Sequence, residues 1–334
     1  MKLRRLLLIA SLLWGGLLLA QPGKVLPPAK DVDKEYRKEY RDDIKDWRKE
    51  NRKDKRDQWD IVIPPEEDIP VQQYDELPPA NADNWGVRIL LPEGLKSRIS
   101  KECKHPVVLK VADTGIQESH RDLQNNRLAG TDYTTSNTVD DEGGHGTHVA
   151  GIVVANNFGI CDPLVKAGLL RFKSVKVLDK RSGSFTWYAN MFATERAEDK
   201  RFQESGVSVV YNSSLGGGTT DIDFVEEELE KSAALGVTFV AASGNNNGPV
   251  SYPGRSTYSI TAASLDQNLL RSSFSNFGAQ VTGAMPGRNI TSTYIGGGYA
   301  MLSGPHLAFA IQAAPAKKGE AMLVPESVAY PPPI

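Results

Sequence analysis

The sequence predicts an α/β fold of three layers, a doubly wound and mostly parallel sheet between helices, for residues 85–314. Three features carry that expectation: apolar runs of strand length, amphipathic or apolar stretches of helix length, and their regular alternation. The runs are residues 107–112, 174–178, 207–210, 237–242 and 258–263. Their nearly continuous apolar character suits strands buried on both faces, as parallel strands are. Helices are expected at 145–156, where Val149, Ile152 and Val153 share a face, and at 224–235, which is Glu-rich and stopped by Gly236. In a doubly wound sheet, function sits at the carboxyl ends of the strands, so the residues that follow each run are the ones to read for chemistry.

What precedes this region has a different character. Lys2, Arg4 and Arg5 stand before an apolar run over residues 6–19 that ends at Ala20. That is the layout of a secretory signal peptide, and it is shorter than the roughly 20 apolar residues a bilayer span needs. An uncleaved anchor is the competing reading, because Leu18 stands where a small residue favours cleavage. Residues 31–60 carry acidic and basic side chains in equal number with few aliphatic ones. Such balance excludes the basic excess that nucleic acid selects. Val32, Tyr36, Tyr40, Ile44 and Trp47 recur every three or four positions, which places one narrow apolar stripe on a charged helix. A solvated helical or disordered linker and a pro-segment packed on the following domain both fit. Pro64, Pro65, Pro70, Pro78 and Pro79 then mark an extended connector.

The expected organisation is a signal peptide at 1–20, a charged pro-segment or linker at 21–84, one domain at 85–314 and a tail at 315–334. The location is secreted or periplasmic, with no stable membrane association after signal cleavage. With 334 residues, 40% of them hydrophobic, the chain can bury a large core, and its net charge of -2 selects no partner. In an oxidising compartment Cys103 and Cys161 either pair or stand as two small core residues.

Asp113 follows the 107–112 run directly, as Asp113-Thr114-Gly115. A carboxylate at a strand end can accept a hydrogen bond from an imidazole and fix its tautomer, although a plain turn would also explain the tripeptide. A histidine is available in Asp141-Glu142-Gly143-Gly144-His145-Gly146-Thr147-His148-Val149-Ala150-Gly151, at the opening of a predicted helix and among residues too small to block it. A general base needs that access and a partner carboxylate. A metal site from His145 and His148 is the competing reading, but their i, i+3 spacing lacks the arrangement of helical zinc proteases. Asn212-Ser213-Ser214-Leu215-Gly216-Gly217 follows the third run, and Ala242-Ser243-Gly244-Asn245 the fourth. Each in isolation is also a strand-end turn.

Taken together these segments resemble the subtilisin-like serine proteases, the subtilases. His145 to Gly151 is similar to the family's histidine motif, Ser214, Leu215, Gly216 and Gly217 to the strand that pairs with an extended substrate, and Asn245 to the oxyanion-hole asparagine. Residues 272–278 and 286–293 resemble further family segments, and the order of Asp before His before the nucleophile position agrees with the family's. The resemblance implies Asp113 as orienting acid, His145 as base and Asn245 as donor to the developing oxyanion. It implies a protein or peptide substrate, a monomer and no organic cofactor. Structural calcium is common in the family, with no ligands assignable here.

One motif is interrupted. The family usually reads Leu-Ser-Gly-Thr-Ser-Met-Ala, a small residue and Pro-His around the nucleophile, whereas here Leu302-Ser303-Gly304 joins Pro305-His306 directly. An alternative alignment sets Ala300-Met301 opposite Ser-Met and replaces the nucleophile with alanine. Ser303 itself stands on the approach to the helix, and misplacing an attacking atom by about 1 Å can cost a hundredfold. The expectation is therefore a secreted serine endopeptidase by family that is impaired or inactive in this chain. The alternative is a peptide-binding pseudoprotease.

Overall fold

The computed structural model describes residues 60–62, 72–75, 85–90, 104–156 and 158–304. Its centre is a seven-stranded, all-parallel sheet. The strands are β3 (Val107–Asp113), β4 (Thr131–Asp132), β5 (Leu170–Lys176), β8 (Ser208–Ser213), β9 (Thr238–Ala242), β10 (Ser259–Leu265) and β11 (Gly283–Pro286). Their spatial order is β11-β10-β9-β8-β3-β5-β4, so the chain starts in the middle, winds out to one edge and returns to wind out to the other. That reversal is the signature of a doubly wound sheet, and it puts β3 and β8 side by side where the winding changes direction.

Strand alternation sorts the core into two layers. Val107, Leu109 and Val111 of β3 join one apolar cluster with α2 (His145–Val154) and α3 (Asp162–Lys166). Ala112 of the same strand joins another with α4 (Phe185–Glu204) and α5 (Asp223–Ala233). All ten residues of α2 are buried, which is why its sequence is apolar nearly all round. On α4, Phe185, Tyr188, Phe192, Glu195 and Asp199 form the inward stripe.

Two small antiparallel sheets flank the centre. One contains β1 (Asp60–Val62), β6 (Leu178–Asp179) and β7 (Ser182–Ser184) in the order β1-β7-β6. The other contains β2 (Gln72–Tyr74), β12 (Ile290–Thr293) and β13 (Tyr299–Leu302) in the order β12-β13-β2. The helix α1 (Trp85–Leu90) packs Trp85, Val87 and Leu90 into the α2-side cluster. Residues 1–59 lie outside the described residues, and with them the signal peptide and most of the charged segment. Cys103, the other half of the pairing considered for buried Cys161, also lies outside them.

The strands expected at 107–112, 207–210, 237–242 and 258–263 are present within one to three residues at each end. The run at 174–178 is corrected: β5 begins at Leu170, and Leu178 belongs to the separate β6. The error has a physical source, because Lys173 interrupts the apolar run and is nonetheless buried by pairing with acids on α4. The predicted helices shrink to His145–Val154 and Asp223–Ala233, and Gly236 sits beyond the latter with φ +85. Among the described residues no helix is long and apolar enough to cross a membrane.

Candidate active site

The carboxyl ends of β3, β8 and β9 lie next to one another, since Ala112 pairs with Ser213 and Ser213 with Ala241. Each of these ends delivers one of the predicted segments, and α2 brings the histidine to them. Asp113 is fully buried. Its Oδ1 accepts from the Thr114 backbone N–H at 2.7 Å and from His145 Nδ1 at 2.8 Å. This sets the imidazole Nδ1 against a carboxylate oxygen, the arrangement in which a carboxylate accepts an Nδ1 proton and leaves Nε2 facing away from it. Gly146 makes this approach feasible. A Cβ there would collide with the Gly115 carbonyl and crowd the Asp113 side chain.

His148 has a different role. Its Nε2 donates to the carbonyls of Ile290 (3.1 Å) and Ala300 (3.0 Å), fixing α2 to the β12–β13 hairpin. Burial, and then the nearby His145, pull its pKa down to about 3, so the ring is neutral. Ser292 Oγ and Thr293 Oγ1 return two more bonds to the His148 and Thr147 carbonyls. A packed, hydrogen-bonded helix residue is therefore what the second histidine is. The hairpin held in this way is the one that runs into Gly304. There the Gly304 N–H meets the Gly287 carbonyl at 2.7 Å, and Ser303 Oγ accepts from the Asn289 N–H at 2.9 Å and donates to Asn289 Oδ1 at 3.3 Å.

Asn245 follows β9 on a turn that begins at Gly244, where φ is +111. Asn276 organises this turn. Its Oδ1 accepts from the N–H groups of Asn246 and Gly248, its Nδ2 donates to the Pro249 carbonyl and Ser251 Oγ, and its backbone N–H donates to the Gly244 carbonyl. A side chain at Gly244 would strike the Asn276 amide, so that position needs glycine for space as well as for φ. The segment after β8 is shaped by Asn212, whose Nδ2 donates to Ser214 Oγ at 2.8 Å. Gly217 N–H donates to the Tyr252 carbonyl at 2.9 Å, so that donor is committed internally. Leu215 is buried in the α4-side cluster.

Sequence reasoning named Asp113, His145, Asn245 and residues 214–217, and the structure brings Asp113 and His145 into direct contact. It passed over Asn276 and Asp141. Both are buried polar residues that accept several backbone N–H bonds, and each stood inside a segment already singled out, but nothing in one sequence tells an internal acceptor from a surface turn residue.

Comparison with known proteins agrees with this geometry. Residues 104–308 match the family model described as the subtilase family. The chain belongs to the subtilase family. It is 38% identical over 205 residues to thermitase of Thermoactinomyces vulgaris, covering 60% of this chain and 70% of that protein. It is 34% identical over 212 residues to subtilisin DY of Bacillus licheniformis, covering 60% and 72%. Among solved structures it resembles a cold-adapted subtilisin-like serine proteinase with TM-score 0.55 and 25% identity, over 70% of this chain and 82% of that one. Fold and relatives support a subtilisin-like serine protease.

Proposed function

We propose that the chain is an exported subtilase whose peptide-bond hydrolysis is impaired or lost because the nucleophilic serine is missing. The carrying observation is the direct junction of Gly304 to Pro305, set beside a base and acid already in contact at 2.8 Å. In this reading Asp113 orients His145 and stabilises its charged form, His145 Nε2 is the base, and Asn245 is a preset donor for the oxyanion. The residues absent at the junction would have supplied both the attacking hydroxyl and the nucleophile's own N–H to that oxyanion. Ser303 does not replace them, since its hydroxyl is engaged with Asn289. Signal-directed export rests on residues 1–20 and on the family.

Purified protein assayed on casein, with a serine-directed phosphonate probe, tests the reading. No cleavage and no labelling are expected, and robust labelled cleavage would overturn it.

A second reading, a peptide-binding pseudoprotease, is favoured by one observation. β1 adds to β7 as an antiparallel strand, with Asp60 opposite Ser184 and Val62 opposite Ser182. Between them Ile61 is fully buried, in the apolar cluster that also holds Leu215, the centre of the predicted substrate-pairing segment. The chain thus adds an extended strand of its own to the β7 edge, the mode by which peptides add to sheet edges. This supports a packed pro-segment over a solvated linker for these residues. Isothermal titration with extended aliphatic peptides before and after Ile61→Asp separates the alternatives. Binding that appears or strengthens in the variant supports a groove, and no binding to either form removes this reading.

A further inference from the structure

We propose that Asp141 is the positioning residue of the Asp113–His145 pair, holding strand and helix at the separation the pair requires. Its side chain is 7% exposed and collects five hydrogen bonds. Oδ1 accepts from Thr114 Oγ1 (2.7 Å), the Gly143 N–H (2.9 Å) and the Gly144 N–H (2.8 Å). Oδ2 accepts from the Thr147 N–H (2.8 Å) and Thr147 Oγ1 (2.6 Å). Thr114 is the residue after Asp113 and Thr147 lies two after His145, so one carboxylate grips both partners of the pair by their neighbours.

The proton directions in this network are determined. Thr114 Oγ1 also accepts from the Gly146 N–H at 2.9 Å, and Thr147 Oγ1 from the Gln117 N–H at 2.9 Å. A hydroxyl that accepts from an N–H is left to donate its own proton elsewhere, and for both threonines the carboxylate is the recipient. The Thr114–Gly146 bond closes a loop running strand end, threonine, helix start. The negative charge also lies at the N-terminus of α2, where the helix dipole stabilises it. A carboxylate is needed because every facing group is a donor. An amide in its place would turn its NH2 toward N–H or O–H groups on one side. Asp141 reaches no reacting atom in this arrangement and acts entirely through the other two residues.

The hydrogen bonds stand whether or not the chain is a lapsed protease; only the kinetic arm below rests on the reading of His145 as base. Proton NMR of the unmodified chain follows the downfield Nδ1–H resonance of His145, assigned by its loss in His145→Ala. Asp141→Asn is expected to remove or strongly shift that resonance in a folded protein. Thr114→Val is expected to do the same, and Thr114→Ser, which keeps the hydroxyl, to restore it. In a chain with Thr-Ser-Met-Ala-Thr inserted between Gly304 and Pro305, Asp141→Asn should lower kcat at least about tenfold with KM changed less than about twofold. A folded Asp141→Asn that melts earlier but keeps the His145 resonance in place would show a purely structural role and overturn the proposal. If Asp141→Asn does not fold, Thr114→Val with an unchanged resonance overturns it equally. An inserted parent without activity counts against the proposed function and leaves the resonance arm to decide.

Discussion

The two faces of β3 treat buried charge in opposite ways. On the α2 face, Asp113 and Asp141 are balanced by backbone N–H groups, threonine hydroxyls and one imidazole. On the α4 face, Lys110 is fully buried and pairs with Asp199 (2.5 Å), Glu195 (2.6 Å) and Glu198 (2.7 Å), while Lys173 reaches Glu195 at 2.8 Å and Glu198 at 2.9 Å. The Tyr133 and Tyr211 hydroxyls and Thr131 complete that network. Burial alone would push the Glu195 carboxyl up, but Lys110 and Lys173 outweigh it and hold it at about 2. For Asp199 burial prevails over Lys110, and its pKa is raised. Glu195, Glu198 and Asp199 lie close enough together to hold a cation, but the lysine ammoniums already fill that role. The contrast teaches that dipoles and hydroxyls leave a carboxylate directed at a partner, as a base-orienting acid must be. Ion pairs spend the charge on holding a helix to a sheet.

If the α2 face is a competent half-site, the largest effect follows from repairing the other half. Inserting Thr-Ser-Met-Ala-Thr between Gly304 and Pro305 should raise casein cleavage and phosphonate labelling far above those of the unmodified chain, for which the proposed function expects none. Removing the serine from subtilisin costs about a millionfold in turnover. A folded insertion product without activity would mean that the two halves no longer meet.

The α4 face should respond in stability alone. Lys110→Met strands three carboxylates around one ammonium and is expected to cost about 3–5 kcal/mol in urea unfolding, with the His145 Nδ1–H resonance unmoved. A shifted resonance would show the two faces to be coupled through β3.

His148 sharpens the contrast through pH. Its folded pKa of about 3 lies below the unfolded value near 6.5, so the unfolded chain binds the extra proton. The stability due to its neutral, buried ring is full above about pH 6.5. It is lost as pH falls, by up to about 1.4 kcal/mol per pH unit, down to about pH 3. Urea midpoints measured across that window should show the slope, and His148→Asn should flatten it. The smallest effect belongs to Thr293→Val, which deletes the bond to the Thr147 carbonyl and should cost about 1 kcal/mol by thermal unfolding.

Much of the candidate site was legible because its residues are adjacent to strand ends that local pattern reveals. Asp113 follows an apolar run, and His145 opens an apolar helix. The α4 helix was not legible. Two of its seven buried positions, Glu195 and Asp199, are acidic, which breaks the apolar periodicity by which a buried helix is recognised. Lys173 hid the first half of β5 in the same way.

The sequence by itself determined the alternation of strand and helix, the order of the motifs and the direct junction of Gly304 to Pro305. These depend on neighbours along the chain, where hydrophobic period and motif spacing act. Only the tertiary structure decided which buried charges meet and what holds them: Lys110 with acids 85 to 89 positions away, Asp113 with His145, and Asp141 with Thr114 and Thr147. Those pairings are set by parallel register and helix docking. A side chain that water would otherwise solvate is buried only where another element arrives with the complementary group.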